Sequence, residues 1–307
     1  MQIYLNKIKE SWVVDRFKSE WYEFNEDIST NKIYKADIVW LITPWLWRNV
    51  KKRNLKNKKV VCSIYHIDFE KFALEDKKEF EERDSFVDLY HVISEKTKSQ
   101  LQQLTNKEII SIPFWVNQNI WFSIEDKESL VKKYNLSSEK YYIGSFQRDT
   151  EGVDLKSPKL IKGPDRFIEI LSSDYFAGKN IEVILTGKRR QYIISELEKR
   201  KIPYKYFEMV DFNEINELYN ILNLYIVSSR VEGGPQAILE CGVTNTPIIS
   251  TDVGVASEIL SPKSIIDMAN YSDVKPDTDY AYKESQQFTI PEGFKRYREM
   301  FRKVNES

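Results

Sequence analysis

Short apolar runs rich in β-branched and aromatic residues alternate with amphipathic stretches along most of the chain. The runs have the length of strands, and the stretches between them show helical patterns. The predicted strands span residues 36–42, 60–65, 89–93, 108–112, 141–146, 181–186, 204–208, 224–229, 247–250 and 264–266. Strands that alternate with helices predict an α/β protein with parallel sheets.

This pattern pauses once, in a polar, strand-free stretch after residues 113–119. Domain boundaries fall in such stretches, so a hinge is expected near 114–125. A chain of 307 residues suits two domains of about 120 to 180 residues. We therefore predict domains at 1–120 and 121–290, the second of them a doubly wound sheet.

A last helix is predicted from Pro291 onward, because proline suits the first turn of a helix. Its Phe294, Tyr297 and Phe301 fall on one face, at steps of three and four residues. Another part of the protein must cover that apolar face.

Composition narrows the class of protein. Charged residues make up 30% and hydrophobic residues 41%, which is typical of a soluble globular chain. The net charge of −1 excludes a globally basic nucleic-acid binder. No apolar run approaches the roughly 18 residues of a membrane span, and the N-terminus lacks the features of a secretory signal. We expect a cytoplasmic protein in which Cys62 and Cys241 are core residues rather than metal ligands or disulfide partners.

Charge is concentrated in one stretch, residues 48–59, which holds seven basic residues and no acid. An exposed helix and loop would explain it, since basic runs are usually solvated faces. The alternative is a functional surface in which the stretch, with Trp45 and Trp47, contacts an anionic lipid or an acceptor at the membrane.

The most informative segment follows the strand at 224–229 and enters a helix. It contains Glu232, Gly233, Gly234, Pro235 and Glu240. The glycines allow a ligand to approach the backbone closely, and a helix N-terminus favours a phosphate. Glu240 suits the hydroxyls of a ribose, and Glu232 those of a hexose. The alternative is a simple turn with two solvated carboxylates.

The spacing of the two glutamates, the intervening glycines and the strand at 247–250 resemble the signature of glycosyltransferase family 4. The flanking segments 216–229 and 251–260 resemble that family as well, although Gly254-Val255 stands where paired glycines are frequent. The resemblance implies a retaining enzyme of the GT-B fold: two Rossmann-like domains facing across a cleft, here with a short N-terminal domain. It also implies that the helix at 291–307 packs back on the first domain.

Further resemblances suggest roles for other residues. The stretch containing Gly144 and Arg148, followed by Lys162, is similar to the strand, loop and helix that supply an arginine and a lysine to the donor pyrophosphate. Because the interval between the two cations is long, Lys156 and Lys159 remain alternatives for the second. Surface cations are the other interpretation.

Each histidine follows or lies in a predicted strand of the first domain. His66 comes directly after one and resembles the histidine that lines the cleft in family 4, where it would contact the donor sugar or the acceptor; a structural role is the alternative. His91 lies inside a strand pattern and is expected to be packed.

The expected activity is hexosyl transfer from a nucleotide diphosphate sugar to a glycan or lipid-linked acceptor, as in polysaccharide biosynthesis. Transfer would retain configuration and need no metal or other cofactor. The pair Asp277 and Asp279 superficially matches a metal motif, but it lies in a polar loop rather than at the end of a strand. A nucleotide-sugar epimerase, a phosphorylase and a non-catalytic sugar- or nucleotide-binding module are the alternatives.

Overall fold

The computed structural model describes residues 1–6, 13–269 and 271–307. The chain forms two compact units. Unit 1 comprises Met1–Phe114 and Pro291–Ser307, and unit 2 comprises Trp115–Ile290. Unit 2 therefore begins six residues before the predicted domain start. Within the described ranges, no helix is long and apolar enough to cross a membrane.

Strands in both units carry the fold, and all but three of the described strands lie close to the predicted bounds. They are β1 (Ile3–Leu5), β2 (Ile38–Leu41), β3 (Lys59–Ile64), β4 (Leu89–Val92), β5 (Glu108–Ser111), β6 (Tyr141–Ser145), β7 (Thr150–Glu151), β8 (Ser157–Pro158), β9 (Ile181–Thr186), β10 (Tyr204–Phe207), β11 (Leu224–Val227), β12 (Ile248–Thr251) and β13 (Ile265–Ile266).

Helices separate most of these strands. They are α1 (Val13–Phe24), α2 (Lys52–Lys56), α3 (Leu74–Asp84), α4 (Glu95–Leu101), α5 (Lys127–Lys133), α6 (Pro164–Leu171), α7 (Gln191–Arg200), α8 (Phe212–Ile221), α9 (Gln236–Thr244), α10 (Ala256–Ile259), α11 (Thr278–Ser285) and α12 (Lys295–Glu306).

Unit 1 holds a parallel sheet in the order β1-β2-β3-β4-β5. One face is covered by α2, α3 and α4 through Leu55, Phe80 and Leu101. The other face is covered by α1 and α12, where Trp21 and Trp40 surround Phe301 with ring centroids 5.4 and 5.1 Å away.

The final helix thus belongs to unit 1. Its apolar face is buried as predicted, with Phe294, Tyr297 and Phe301 all inside unit 1. Pro291 itself precedes a short 3₁₀ turn, Glu292–Phe294, and α12 begins only at Lys295. The α-helix therefore starts four residues later than proline chemistry alone indicates.

Unit 2 holds a six-stranded parallel sheet in the order β10-β9-β6-β11-β12-β13. Counted within the unit this is the order 3-2-1-4-5-6 of a doubly wound Rossmann sheet, and the order reverses between β6 and β11. Ligands bind such sheets outside the carboxyl ends of the strands at that reversal. In unit 1 successive strands are neighbours throughout, so no described pair of strands there creates an equivalent point.

The basic stretch at 48–59 turns out to be partly neutralised within unit 1. Arg48 lies 3.3 Å from Glu79 and 2.9 Å from Glu82, and Lys52 lies 2.8 Å from Glu82. Trp47 is fully buried in the core of unit 1, so the alternative in which it joins a surface contact was wrong for this residue. Trp45 is 40% exposed.

Candidate functional site

Two loops meet at the strand-order reversal of unit 2. One leaves β6 with Phe146, Gln147 and Arg148, and the other leaves β11 and reaches α9. A third segment, the 3₁₀ turn Leu160–Lys162 before α6, lies against both. These segments carry most of the side chains that the sequence singles out for the donor.

The central contact is an ion pair between Lys162 Nζ and Glu232 Oε1. The Ser229 hydroxyl donates to the same carboxylate oxygen at 3.2 Å. Gln147 donates from Nε2 to the Lys162 carbonyl at 2.9 Å. The side chains of Lys162 and Glu232 are 25% and 12% exposed, so the pair is partly buried. Residues 70 positions apart are thus brought into direct contact.

Arg148 belongs to the same group of charged side chains. It is exposed, and its Nε donates to the Thr150 carbonyl at 2.9 Å. Burial, together with the positive charges of Lys162 and Arg148, lowers the pKa of Lys159. Arg148, Lys159 and Lys162 are therefore close enough to influence one another electrostatically. The negative charge of Glu232 acts on Lys159 in the opposite direction and raises its pKa.

The long interval between Arg148 and Lys162 is a β-hairpin, β7 paired with β8. Lys156 lies exposed in this hairpin, where its N–H donates to the Asp154 carboxylate at 3.1 Å. Lys159 and Lys162 both follow the hairpin in the chain and lie near Glu232. Of the three lysines, Lys162 makes the contact with Glu232, and Lys159 lies near it.

The loop at Gly233, Gly234 and Pro235 leads directly into α9. Pro235 is the N-cap and the helix begins at Gln236, one residue later than proline in the first turn would give. Gly254, at φ +51°, packs so closely on this loop that a Cβ there would lie 2.0 Å from the Gly233 carbonyl oxygen. A single glycine at 254 thus supports the loop from the neighbouring strand end.

Glu240 lies on the inner side of α9 and is only 8% exposed. It accepts a hydrogen bond from the Tyr219 hydroxyl at 3.0 Å. Burial, reinforced by the negative charge of Glu240, raises the pKa of Tyr219 well above its usual range. The tyrosine is therefore a permanent donor that holds the carboxylate.

A buried ion pair beneath the loops was not foreseen from the sequence. Arg190, which is fully buried, pairs with Asp149 and donates to the carbonyls of Ser145 at 2.6 Å and Thr186 at 2.8 Å. It thereby ties together the carboxyl ends of β6 and β9. The sequence indicates only that Arg190 stands four residues beyond a predicted strand. It does not indicate the pairing, because Asp149 lies 41 residues away along the chain.

Gly144 lies inside β6 rather than in the loop. A Cβ at this position would lie 2.2 Å from Leu222 Cδ1, so close packing accounts for the glycine. A contact with the donor stays a prediction for this residue.

The histidines belong to unit 1. His66 is exposed and follows β3 by two residues, at the carboxyl edge of that sheet. His91 is fully buried, as predicted. Asp277 caps α11, accepting from the Tyr280 N–H at 3.3 Å, which explains its place in a polar loop.

Comparison with known proteins agrees with this geometry. A family model described as glycosyl transferases group 1 matches residues 157–279, which include Lys162, the Glu232 loop and α9. The chain has the GT-B fold, and its residues 157–279 match the group 1 glycosyltransferase family. The matched segment includes β11, on one side of the strand-order reversal, with Lys162 and the Glu232 loop, whereas β6, Gln147 and Arg148 precede it.

Solved structures of this fold are similar over nearly the whole chain. The Anabaena protein HepE in complex with UDP-glucose is 12% identical, with 98% of this chain and 99% of that chain covered and a TM-score of 0.73. A sucrose-phosphate synthase from Thermosynechococcus elongatus is 13% identical, covering 95% and 77%, with a TM-score of 0.69. A glycosyltransferase from Rickettsia africae is 17% identical, covering 97% and 83%, with a TM-score of 0.65. No match is found among curated protein sequences.

Proposed function

We propose that this protein is a glycosyltransferase that transfers a hexose from a nucleotide diphosphate sugar, with retention of configuration as in family 4. The observation that carries the proposal is the contact between Lys162 and Glu232 at the strand-order reversal of unit 2. The similarity to HepE, whose structure holds UDP-glucose, supports a donor of this class.

Each group at the site has a role in the proposal. Arg148 and Lys162, with the N-terminal amides of α9, bind the diphosphate and stabilise the negative charge that develops as it leaves. The backbone at Gly233 and Gly234 admits the phosphates closely. Glu232 accepts hydrogen bonds from the hexose hydroxyls, and Glu240, held by Tyr219, accepts those of the ribose.

Lys162 and Glu232 pair with each other, so each compensates the charge of the other, which reduces the cost of holding both in a partly buried position. In the proposal the donor replaces this one interaction with two: the diphosphate binds the lysine, and the sugar hydroxyls bind the glutamate.

We further propose that the reaction needs no metal, because fixed cations at Arg148, Lys159 and Lys162 supply the positive charge that a divalent ion would otherwise bring to the diphosphate. The acceptor hydroxyl then attacks from the face that the diphosphate leaves. His66, at the carboxyl edge of the sheet in unit 1, is proposed to contact the donor sugar or the acceptor.

The acceptor is proposed to be a glycan or a lipid-linked glycan in the cytoplasm, reached by peripheral contact with the membrane. The pairing of Arg48 and Lys52 with α3 reduces the charge available, and the exposed cations Lys51, Arg53 and Lys56 carry the proposed contact. Co-sedimentation with vesicles of anionic and of neutral lipid tests it. Equal binding to both would contradict an electrostatic contact.

A thermal-shift panel of nucleoside diphosphates and their sugars, with and without chelator, tests the donor. A ligand present at a hundredfold its Kd should stabilise the protein by about 2.7 kcal/mol. Loss of all binding on adding chelator would contradict the metal-free assignment. Product analysis with the best donor separates a glycoside from a sugar isomer or a sugar phosphate, which an epimerase or a phosphorylase would form.

Substitution of the central lysine gives the matching kinetic test. Lys162→Ala should lower turnover by about 10²- to 10³-fold, the usual effect of removing one charge-stabilising group. Lys199→Ala is the control, since Lys199 also pairs with a glutamate, Glu196, but on the exposed face of α7. Equal activities of the two variants would remove Lys162 from the mechanism.

A further inference from the structure

The turn that carries Lys162 is bound through every one of its carbonyls. The Leu160 carbonyl accepts from Arg230 Nη1 at 2.9 Å, and the Ile161 carbonyl accepts from the Arg230 N–H at 2.9 Å. The Lys162 carbonyl accepts from Gln147 at 2.9 Å, and the Gly163 carbonyl accepts from the Ser228 hydroxyl at 2.8 Å. Four consecutive acceptors are thus satisfied by the loops after β6 and β11.

Arg230 contributes to this arrangement twice, through its backbone and through its side chain. Beyond the Leu160 carbonyl, its guanidinium forms a two-pronged ion pair with Asp165, with Nη1 to Oδ1 at 2.7 Å and Nη2 to Oδ2 at 2.6 Å. Leu160 precedes Lys162 by two residues and Asp165 follows it by three. Arg230 therefore forms hydrogen bonds with residues on both sides of Lys162 in the chain.

The same arginine stands two residues before Glu232 in the loop after β11. One side chain consequently links the segment that bears the cation to the segment that bears its carboxylate partner. We propose that Arg230, held by Asp165, is a positioning residue that keeps Lys162 beside Glu232 and in place for the donor diphosphate. This inference rests on the proposed function of the site.

Both partners are suited to positioning rather than to binding donor themselves. The side chains of Arg230 and Asp165 are 34% and 35% exposed, and the two form an ion pair with each other. Burial raises the pKa of Asp165, but the hydrogen bonds and charge of Arg230 outweigh it and lower the pKa overall. The carboxylate therefore stays ionised. A guanidinium matches a carboxylate with two parallel bonds and still has a donor for the Leu160 carbonyl, which an ammonium group cannot reproduce.

The test compares Arg230→Lys, Arg230→Gln, Asp165→Asn and the double variant Arg230→Gln/Asp165→Asn. Arg200→Gln is the matched control, because the guanidinium of Arg200 also pairs with a carboxylate, that of Glu196 within α7. Hydrogen exchange of the peptide covering 159–165 is measured without ligand. Affinities for the diphosphate and the monophosphate of the nucleoside preferred by the wild type are measured by calorimetry.

Arg230→Gln and Arg230→Lys should speed exchange in the turn and weaken diphosphate binding by about tenfold, with little change in monophosphate binding. Such a selective loss distinguishes a misplaced Lys162 from general destabilisation, which would weaken both ligands. The double variant should be no worse than Arg230→Gln alone, because the two side chains act as one unit. Arg200→Gln should match the wild type.

Unchanged exchange in the turn would overturn the inference, and so would faster exchange with unchanged diphosphate affinity. A wild-type protein that binds no nucleoside diphosphate would instead contradict the proposed function. In that case the exchange rates would still decide whether Arg230 holds the turn, and only its connection to a donor would fall.

Discussion

His91 is a buried titratable residue with a partner on each ring nitrogen. Nδ1 lies 2.8 Å from the Ser63 hydroxyl, and Nε2 lies 2.8 Å from the Ile112 carbonyl. A carbonyl can only accept, so the arrangement assigns the proton to Nε2. Ser63 then donates to Nδ1 and accepts from the Trp40 indole at 2.8 Å. The neutral ring is therefore fully satisfied in unit 1.

This arrangement predicts a pH dependence. Burial, with a contribution from the nearby charge of Arg296, lowers the pKa of His91 from 6.5 to about 4. Above pH 6.5 the ring is neutral in folded and unfolded chains alike. As the pH falls from 6.5 to 4 only the unfolded chain takes up the proton, so folding loses up to about 3 kcal/mol.

Urea unfolding of the wild type and of His91→Gln at pH 7.5, 5.5 and 4.5 measures this loss. Glutamine can also accept from Ser63 and donate to the carbonyl, but it does not titrate. The wild type should lose more stability than the variant between the first and the last pH. A constant difference between the two proteins across this range would contradict the prediction.

At the scale of elements, the turn before α6 depends on one glycine. Gly163 has φ +62°, and a Cβ there would lie 1.8 Å from the Ser228 carbonyl oxygen at the end of β11. Gly178 has a similar φ of +74° but nothing within 4 Å of an added Cβ. The two positions share the backbone conformation and differ in the space around them.

We predict that Gly178→Ala costs about 1 kcal/mol through backbone strain alone. Gly163→Ala should cost clearly more, because the turn must also move away from the strand end. It should weaken nucleoside diphosphate binding as well, since Lys162 moves with the turn. Thermal unfolding and calorimetric titration of both variants check this. Equal costs and unchanged affinity would show that the close approach is unimportant.

Every strand of the two parallel sheets except β1 was predicted from the sequence, because these strands belong to a series of apolar runs that alternate with helical patterns. The missed strands are β1, with three residues, and the hairpin strands β7 and β8, which have two residues each and contain no run of strand-forming residues. The pattern indicated the segment around Glu232 because a strand, glycines and a helix follow one another there. Its pairing with Lys162 could not be derived, because the order of strands in the sheet decides which loops meet.

At the scale of the molecule, each unit has its own sheet and its own buried core. In unit 1 the C-terminal helix α12 covers one face of the sheet with its aromatic side chains. Its Arg298 also forms an ion pair with Asp27. The predicted donor groups all lie in unit 2, and His66 lies in unit 1. Because each unit has a core of its own, we predict two unfolding transitions rather than one.

Two phenylalanines test this independence. Phe301 in α12 and Phe167 in α6 are both fully buried, the first in unit 1 and the second in unit 2. Truncation of a buried phenylalanine to alanine costs about 3–5 kcal/mol. We predict that Phe301→Ala lowers the midpoint of one calorimetric transition and Phe167→Ala that of the other. Five of the seven tryptophans precede residue 114, so tryptophan fluorescence should follow the transition of unit 1.

A nucleoside diphosphate distinguishes the transitions further. Because the proposed donor groups lie in unit 2, the ligand should raise the midpoint that Phe167→Ala lowers and leave the fluorescence-detected midpoint nearly unchanged. If both variants lower a single common transition, and the ligand raises that same transition, the two units unfold together. The C-terminal helix would then stabilise the donor site as well as the sheet that it covers, and Phe301→Ala would weaken donor binding near the unfolding temperature.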